Sequence, residues 1–181
     1  MFRQFVKYGC AVAGFLVVTG LAAPRPAAAQ GVDFAAGYSF LHDNELSENL
    51  PRGFFASLGV NANSWLGIVG EIHTNRKDYD AVVDDVTLNI DFYGGGVRFR
   101  GSSGAARPYG QLLVGAARGR IAFQGEAESG SEFAWQPGAG VDAYFSRSVG
   151  VRFGINGRFI QGEDVTAKEV QVIVGIVFGG R

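Results

Sequence analysis

Glu71 and His73 stand two residues apart in the stretch GIVGEIHTN, and a carboxylate beside an imidazole is half of an acid/base device. Such a pair becomes catalytic only when a nucleophile lies within hydrogen-bond reach, and Ser39 and Ser57 are generic candidates with no motif around them. The other ionisable residues set among apolar neighbours are Asp91, Arg98, Asp142, Arg152, Arg158 and Glu169, with Arg118 or Arg120 as further possibilities. Both signs occur in similar number. Charges taken out of water must be paired, so this set predicts a network of ion pairs, with Glu71 joined to Arg98 or a neighbouring arginine. The same residues also admit a narrow ion path in which pairs exchange partners. No EF-hand spacing occurs, and neither a metal centre nor a cofactor is expected.

The elements that would hold these side chains are strands. The end of the chain, KEVQVIVGIVF over Lys168 to Phe178, places Val170, Val172, Val174, Ile176 and Phe178 on one face and Glu169, Gln171, Gly175 and then Gly179, mixed with Ile173 and Val177, on the other. That period of two is the β period. Seven further segments can be marked: Val32 to Leu41, Gly53 to Asn61, Trp65 to Arg76, Val86 to Arg100, Arg107 to Phe123, Glu132 to Phe145 and Val149 to Phe159. In the fourth, the apolar positions change parity at Gly94-Gly95-Gly96, which predicts a bulge there and puts Asp91 on the polar face. In the fifth, Leu112, Leu113 and Val114 are consecutive, so its facing stays open. Connections after even strands are short and those after odd strands are longer. Eight strands so joined make an antiparallel up-and-down barrel.

The barrel has two possible facings. Apolar side chains inside give a soluble ligand carrier of the lipocalin kind; apolar side chains outside give a membrane barrel with a polar interior. Gly37, Gly59, Gly67, Gly138, Gly140, Gly154 and Gly175 lie on the polar face, where they make room for arginine and glutamate in a narrow lumen. The opposite face is Val, Ile, Leu and Phe with almost no charge, an aggregation surface in water but a match for lipid. Aromatic side chains fall into two groups, as membrane interfaces require. Tyr38, Phe40, Phe54, Phe133, Trp135 and Phe159 are expected near the long-loop rim, and Trp65, Phe99, Tyr109, Phe145 and Phe178 near the short-turn rim.

Composition bounds the rest. The chain has 181 residues, 47% of them hydrophobic, and 28 glycines without a collagen-like period. Residues 1–29 read as a secretory signal peptide: Arg3 and Lys7, an apolar run from Cys10 to Ala23, then Ala27-Ala28-Ala29 before Gln30. The mature domain is then 30–181. The single cysteine leaves with the leader. Removing Arg3, Lys7 and Arg25 lowers the basic count from 16 to 13 against 17 acids, a net charge of −4 that disfavours nucleic acid as a partner. The long loops are acidic, with Asp43, Glu45 and Glu48, then Asp78, Asp80, Asp84 and Asp85, then Glu126 and Glu128, then Glu163 and Asp164. They solvate the rim, or bridge through divalent cations to lipopolysaccharide phosphates.

With these stretches laid out, the chain resembles the small outer-membrane β-barrel domain family of Gram-negative bacteria, the porin-like barrels. GYSFL at Gly37 to Leu41, NLPRGFFASLGVNANSWLGIVGE at Asn49 to Glu71, GGGVRFR at Gly94 to Arg100, RPYGQ at Arg107 to Gln111, GAGVD at Gly138 to Asp142 and the final VIVGIVFG carry the resemblance. It implies eight strands in the cell outer membrane, both termini in the periplasm, long loops outside the cell, contact with outer-membrane lipid and lipopolysaccharide, insertion by the barrel assembly machinery, and no enzymatic activity. Phe178 is followed by Gly179, Gly180 and Arg181, so the terminal aromatic of such proteins is displaced from the end. The expected role is structural or surface-interacting, through the acidic loops, around a packed polar lumen. A small pore, a lipid-modifying enzyme using His73 and a soluble carrier are the alternatives.

Overall fold

The computed structural model describes residues 31–43, 48–80, 85–101, 104–123, 126–162 and 166–179; the leader expected over 1–29 lies outside them. Nine strands are present among these residues: β1 Val32–Asp43, β2 Glu48–Leu50, β3 Arg52–Asn61, β4 Leu66–Asp80, β5 Asp85–Arg100, β6 Ala106–Phe123, β7 Glu126–Tyr144, β8 Val149–Gln161 and β9 Thr166–Gly179. Each pairs antiparallel with its sequence neighbour from β3 onward, and β1 pairs with both β3 and β9, from Asp33↔Gly179 to Asp43↔Glu169. That last pairing closes the sheet into an eight-stranded barrel. β2 is a short continuation of β3, paired to the end of β1 beyond an interruption at Pro51.

Local chemistry explains the short turns, which all lie at one end. Asn63 accepts at its Oδ1 from the backbone N–H of Trp65 (2.9 Å) and Leu66 (2.7 Å), an Asx turn between β3 and β4. Ser146 Oγ accepts from the N–H of Val149 (3.0 Å) in the same way between β7 and β8. Gly104, at φ 116°, supplies the left-handed residue that the turn between β5 and β6 needs.

Alternation sets the facing of six strands as the sequence implies; β6, whose facing the sequence left open, turns Tyr109, Gln111 and Leu113 inward, and β5 departs from the expected facing. The pairs from Leu66↔Phe99 to Asp80↔Asp85 on one side, and from Val86↔Phe123 to Arg100↔Tyr109 on the other, are uninterrupted, so there is no bulge at Gly94–Gly96 and no change of parity. Ile90 and Phe92 therefore point inward, and Asp91 lies on the outer face rather than in the lumen. Glycine has another use here: Phe92 folds over its own strand, and a Cβ at Gly94 would stand 2.7 Å from its Cε1. The register slips instead at the β1 edge. Tyr38 faces Phe54 and Leu41 faces Leu50, so two residues of β1 oppose Pro51, Arg52 and Gly53, a bulge at a residue with no N–H to donate.

The lumen is not wholly polar. Leu41, Leu50 and Ile90 form a small apolar cluster, Val69, Phe92, Leu113, Ala117 and Ala134 another, and Ala35, Phe55, Ile173 and Val177 a third. The outer surface is an apolar band: Phe54, Leu58, Ile68, Ile72, Val114, Phe153, Ile155 and Val172 are all exposed. No helix among the described residues is long and apolar enough to cross a membrane; the strands carry that band.

Candidate functional site: a charge network filling the lumen

Arg98, Arg152 and Arg158 are each at most 1% exposed, and each guanidinium is paired with a carboxylate, as a buried charge requires. Arg98 on β5 donates from Nη2 to Glu71 Oε1 (2.6 Å), from Nη1 to Asp33 Oδ1 (3.2 Å) and from Nε to Gln111 Oε1 (2.9 Å). Arg152 on β8 grips Asp142 with a fork, Nε to Oδ1 at 2.7 Å and Nη2 to Oδ2 at 2.8 Å, and reaches Ser57 Oγ (2.9 Å) and Asp33 Oδ1 (3.4 Å). Arg158 donates to Glu169 (3.0 Å) and Gln136 (2.9 Å). Arg100 bonds both Asp33 and Asn61.

These local sets join. Gln136 Nε2 lies 3.4 Å from His73 Nε2, which is 3.0 Å from Glu71 Oε2, so one line runs from Glu169 through Arg158, Gln136, His73, Glu71, Arg98 and Asp33 to Arg100. A second leaves Arg98 through Gln111, Asn156, Gln171 and Ser39 to Asn75. Among the described residues, Asp33, Glu71, Asp142 and Glu169 are joined to Arg98, Arg100, Arg152 and Arg158, with Asp33 shared by three of the arginines, and Asp43, opposite Glu169, is buried as well. Side chains of both signs thus occupy the interior.

Aromatic rings fill what charges leave. Tyr109, placed by sequence at the lipid interface, points inward and is 5% exposed, with the guanidinium carbons of Arg98 and Arg152 each 5.0 Å from its ring centroid. Its position is shaped by glycine: a Cβ on Gly140 or on Gly154 would stand 2.6 Å from its hydroxyl oxygen. His73 lies between Phe55 and Phe92, at 6.2 and 5.8 Å between centroids, and Arg158 covers the Phe92 ring at 4.7 Å.

Of the residues singled out in the sequence, Glu71, Arg98, Asp142, Arg152, Arg158 and Glu169 meet inside the barrel, while Asp91, Arg118 and Arg120 stand outside it. Asp33, Arg100 and the amides Gln111, Gln136, Asn156 and Gln171 join them without having been among the candidates. Alternation alone places Asp33 on the polar face of the first strand, a sufficient signal for its inclusion. His42 is also within a strand, bonded to Asn49 at 2.8 Å. The Nε2 of His73 is engaged by Glu71 and Gln136 while its Nδ1 has no hydrogen-bond partner, Ser57 is engaged by Arg152, and Ser39 by Asn75 and Gln171. No group of three or more metal-ligating side chains occurs among the described residues.

On the outer face, Trp135 and Phe159 stack at 4.3 Å and Trp65 and Phe99 at 6.0 Å, the first pair toward the longer loops and the second beside the short turns. Tyr38, Phe54 and Phe133 are exposed and Phe40 half-buried at the first level; Phe145 and Phe178 are exposed at the second. Tyr93 adds an exposed aromatic on β5. Much of the acidic loop sequence, including Glu45, Asp84 and Glu163, lies outside the described residues.

The family model described as outer membrane protein beta-barrel domain matches residues 13–178. Among solved structures, the barrel is similar to the attachment invasion locus protein Ail of Yersinia pestis, in complex with the heparin analogue sucrose octasulfate, at 20% identity and a TM-score of 0.61, covering 83% of this chain and all of that one. It is also similar to the Neisserial surface protein A, at 15% identity and a TM-score of 0.62, covering 82% of this chain and 95% of that one. No curated protein matches the chain. An apolar outer face on a closed eight-stranded sheet and a family match over most of the sequence lead to one assignment: the chain belongs to the outer membrane protein beta-barrel domain family and is an integral outer-membrane protein.

Proposed function

We propose that this barrel acts without catalysis, as a surface-interacting protein whose work is done at the end carrying the longer loops, while the lumen serves to hold the wall rigid. One observation carries this reading. A spanning strand needs about 9–11 residues, whereas β4, β5, β6 and β7 have 15, 16, 18 and 19. Their surplus continues as paired sheet beyond the apolar band and offers a rigid platform for contact. With the termini in the periplasm, that platform stands outside the cell, flanked by the acidic loops and bathed in lipopolysaccharide. Insertion by the barrel assembly machinery is part of the same reading. The likeness to Ail, solved with a sulfated sugar, supports a search among surface partners.

The test is to replace residues 119–130, the tip of the β6–β7 hairpin, by a two-residue turn and to measure attachment of expressing cells to immobilised glycans and extracellular proteins. Attachment lost with heat-modifiable folding retained supports the platform. Attachment unchanged, together with steady single-channel conductance of the intact barrel in planar bilayers, would favour the pore instead.

A further inference from the structure

We propose that a groove on the lipid-facing wall, over β7, β8 and β9, binds one acyl chain of a lipid that carries an N–H or O–H donor where chain and headgroup join. Its anchor is a hydrogen bond missing from the wall. Trp135↔Phe159 and Gly138↔Asn156 are paired in one register, but Gln136↔Arg158 and Pro137↔Gly157 between them are not. On the other side of β7 the ladder runs unbroken through Leu112↔Pro137, so the break lies toward β8 alone. Proline has no N–H, and the bond lost is the one that residue 137 would donate to the Gly157 carbonyl. β7 is not an edge strand, the usual place for proline in a sheet. Hydrocarbon offers no water to satisfy the freed oxygen, and an unsatisfied backbone group there is costly.

The oxygen is open to the lipid side. Gly157 presents no side chain on the outer face, and a Cβ there would meet only Phe159 Cε2, at 3.7 Å. A hollow of about 460 Å³ lies over Pro137, Gly157 and Val170 and adjoins a second, of about 320 Å³, over Val141, Phe153 and Val174; Ala139 and Ile155 line both. From residue 137 to residue 141 of β7 this strip runs roughly 14 Å along the strand. The stacked Trp135 and Phe159 stand directly on the long-loop side of the carbonyl. It therefore lies just beneath the outer aromatic belt, at the depth where a lipid's headgroup gives way to its chains. A chain laid down the strip from that point meets apolar side chains throughout. An ester at its head would bring acceptors alone, whereas an amide N–H or a hydroxyl completes the bond that Pro137 leaves open. This site faces sideways into the leaflet and is separate from the hairpin tip.

The experiment reads tryptophan fluorescence. Trp65 and Trp135 are the two tryptophans, one in each belt, so Trp65→Phe leaves Trp135 as the reporter beside the groove. This protein is refolded in phosphatidylcholine vesicles and titrated with the N-methyl amide of a brominated fatty acid, and separately with the N,N-dimethyl amide, which lacks the N–H. Bromine quenches the indole on contact. One net hydrogen bond changes an equilibrium by about two- to tenfold, so the N-methyl amide should quench Trp135 at a mole fraction lower by that factor. Pro137→Val supplies the N–H that Gly157 lacks and should abolish the preference. Gly157→Val, whose side chain the open space admits, should also abolish it by covering the oxygen, and serves if the first variant does not fold. In the converse protein, Trp135→Phe, the two amides should quench Trp65 equally. Equal quenching of Trp135 by the two amides, or a preference undiminished in both variants, overturns the proposal. So does an equal preference at Trp65, which would mark general partitioning, or a dimer in sedimentation that keeps both amides from Trp135, which would assign the groove to a second copy of the chain.

Discussion

Glu71→Gln keeps the size of the side chain and removes one charge from a position 2% exposed, where Glu71 takes a 2.6 Å bond from Arg98 and lies 3.0 Å from His73. Breaking a buried ion pair by deleting one partner costs about 3–5 kcal/mol, because the surviving charge is left uncompensated. Here the loss is smaller. Arg98 keeps Asp33 at 3.2 Å and Gln111 at 2.9 Å, and the glutamine carbonyl still accepts one bond. About 2–3 kcal/mol remains. For a domain of this size that is a fall of roughly 5–10 °C in the temperature at which the compact, fast-running band on unboiled gels converts to the slow one. Equilibrium unfolding by urea in lipid vesicles gives the free energy directly. Arg98→Met and the double variant complete a cycle, with an expected coupling of about 1–3 kcal/mol. A glutamine variant as stable as the wild type, or strictly additive single changes, would show that the pair contributes nothing and that the lumen is held by packing alone.

Three further outcomes follow from the same geometry. Tyr109→Ala empties the space over Gly140 and Gly154 and should cost about 3–4 kcal/mol, whereas Tyr109→Phe should cost under about 1 kcal/mol because the buried hydroxyl has no hydrogen-bond partner; urea unfolding separates the two. Gly154→Val drives a side chain into that hydroxyl and should destabilise by about 1–3 kcal/mol, a loss that Tyr109→Ala in the same chain partly restores. Arg152→Gly removes a plug residue held by Asp142, Ser57 and Asp33, and should raise conductance in planar bilayers above that of the wild type; identical traces would mean that the remaining side chains close the path.

Period-two alternation was enough to read the barrel and the facing of most strands, because a one-residue slip would exchange the lipid and lumen faces entirely. It misled at β5, where Leu88, Ile90 and Phe92 look like lipid-facing residues and instead belong to or flank apolar clusters inside the barrel. A lumen need not be polar throughout when side chains fill it. Reading those residues outward forced a compensating bulge at the glycines and carried Asp91 inward with it. Tyr109 was misplaced for a related reason: on β6 both faces are apolar over Leu112 to Val114, so the sequence offers no contrast from which to choose. The amides escaped notice because Gln and Asn are ordinary on any polar face, and only the register shows Gln111 and Asn156 linking Arg98 to Gln171.

Asp33 sits on the first strand, yet the arginines that match it come from β5 and β8, and its own strand is closed by β9. Hairpins such as β6–β7 can zip from local turns as the chain emerges, but this carboxylate finds its partners only when the two extremes of the sequence meet. Contacts of such separation are slow to form and are rewarded only late. An open intermediate lacking the β1–β9 seam would hold Asp33 and Arg152 in mismatched surroundings. Partial closure therefore gains little, and assembly is drawn toward an all-or-none final step in which wall and plug are completed together.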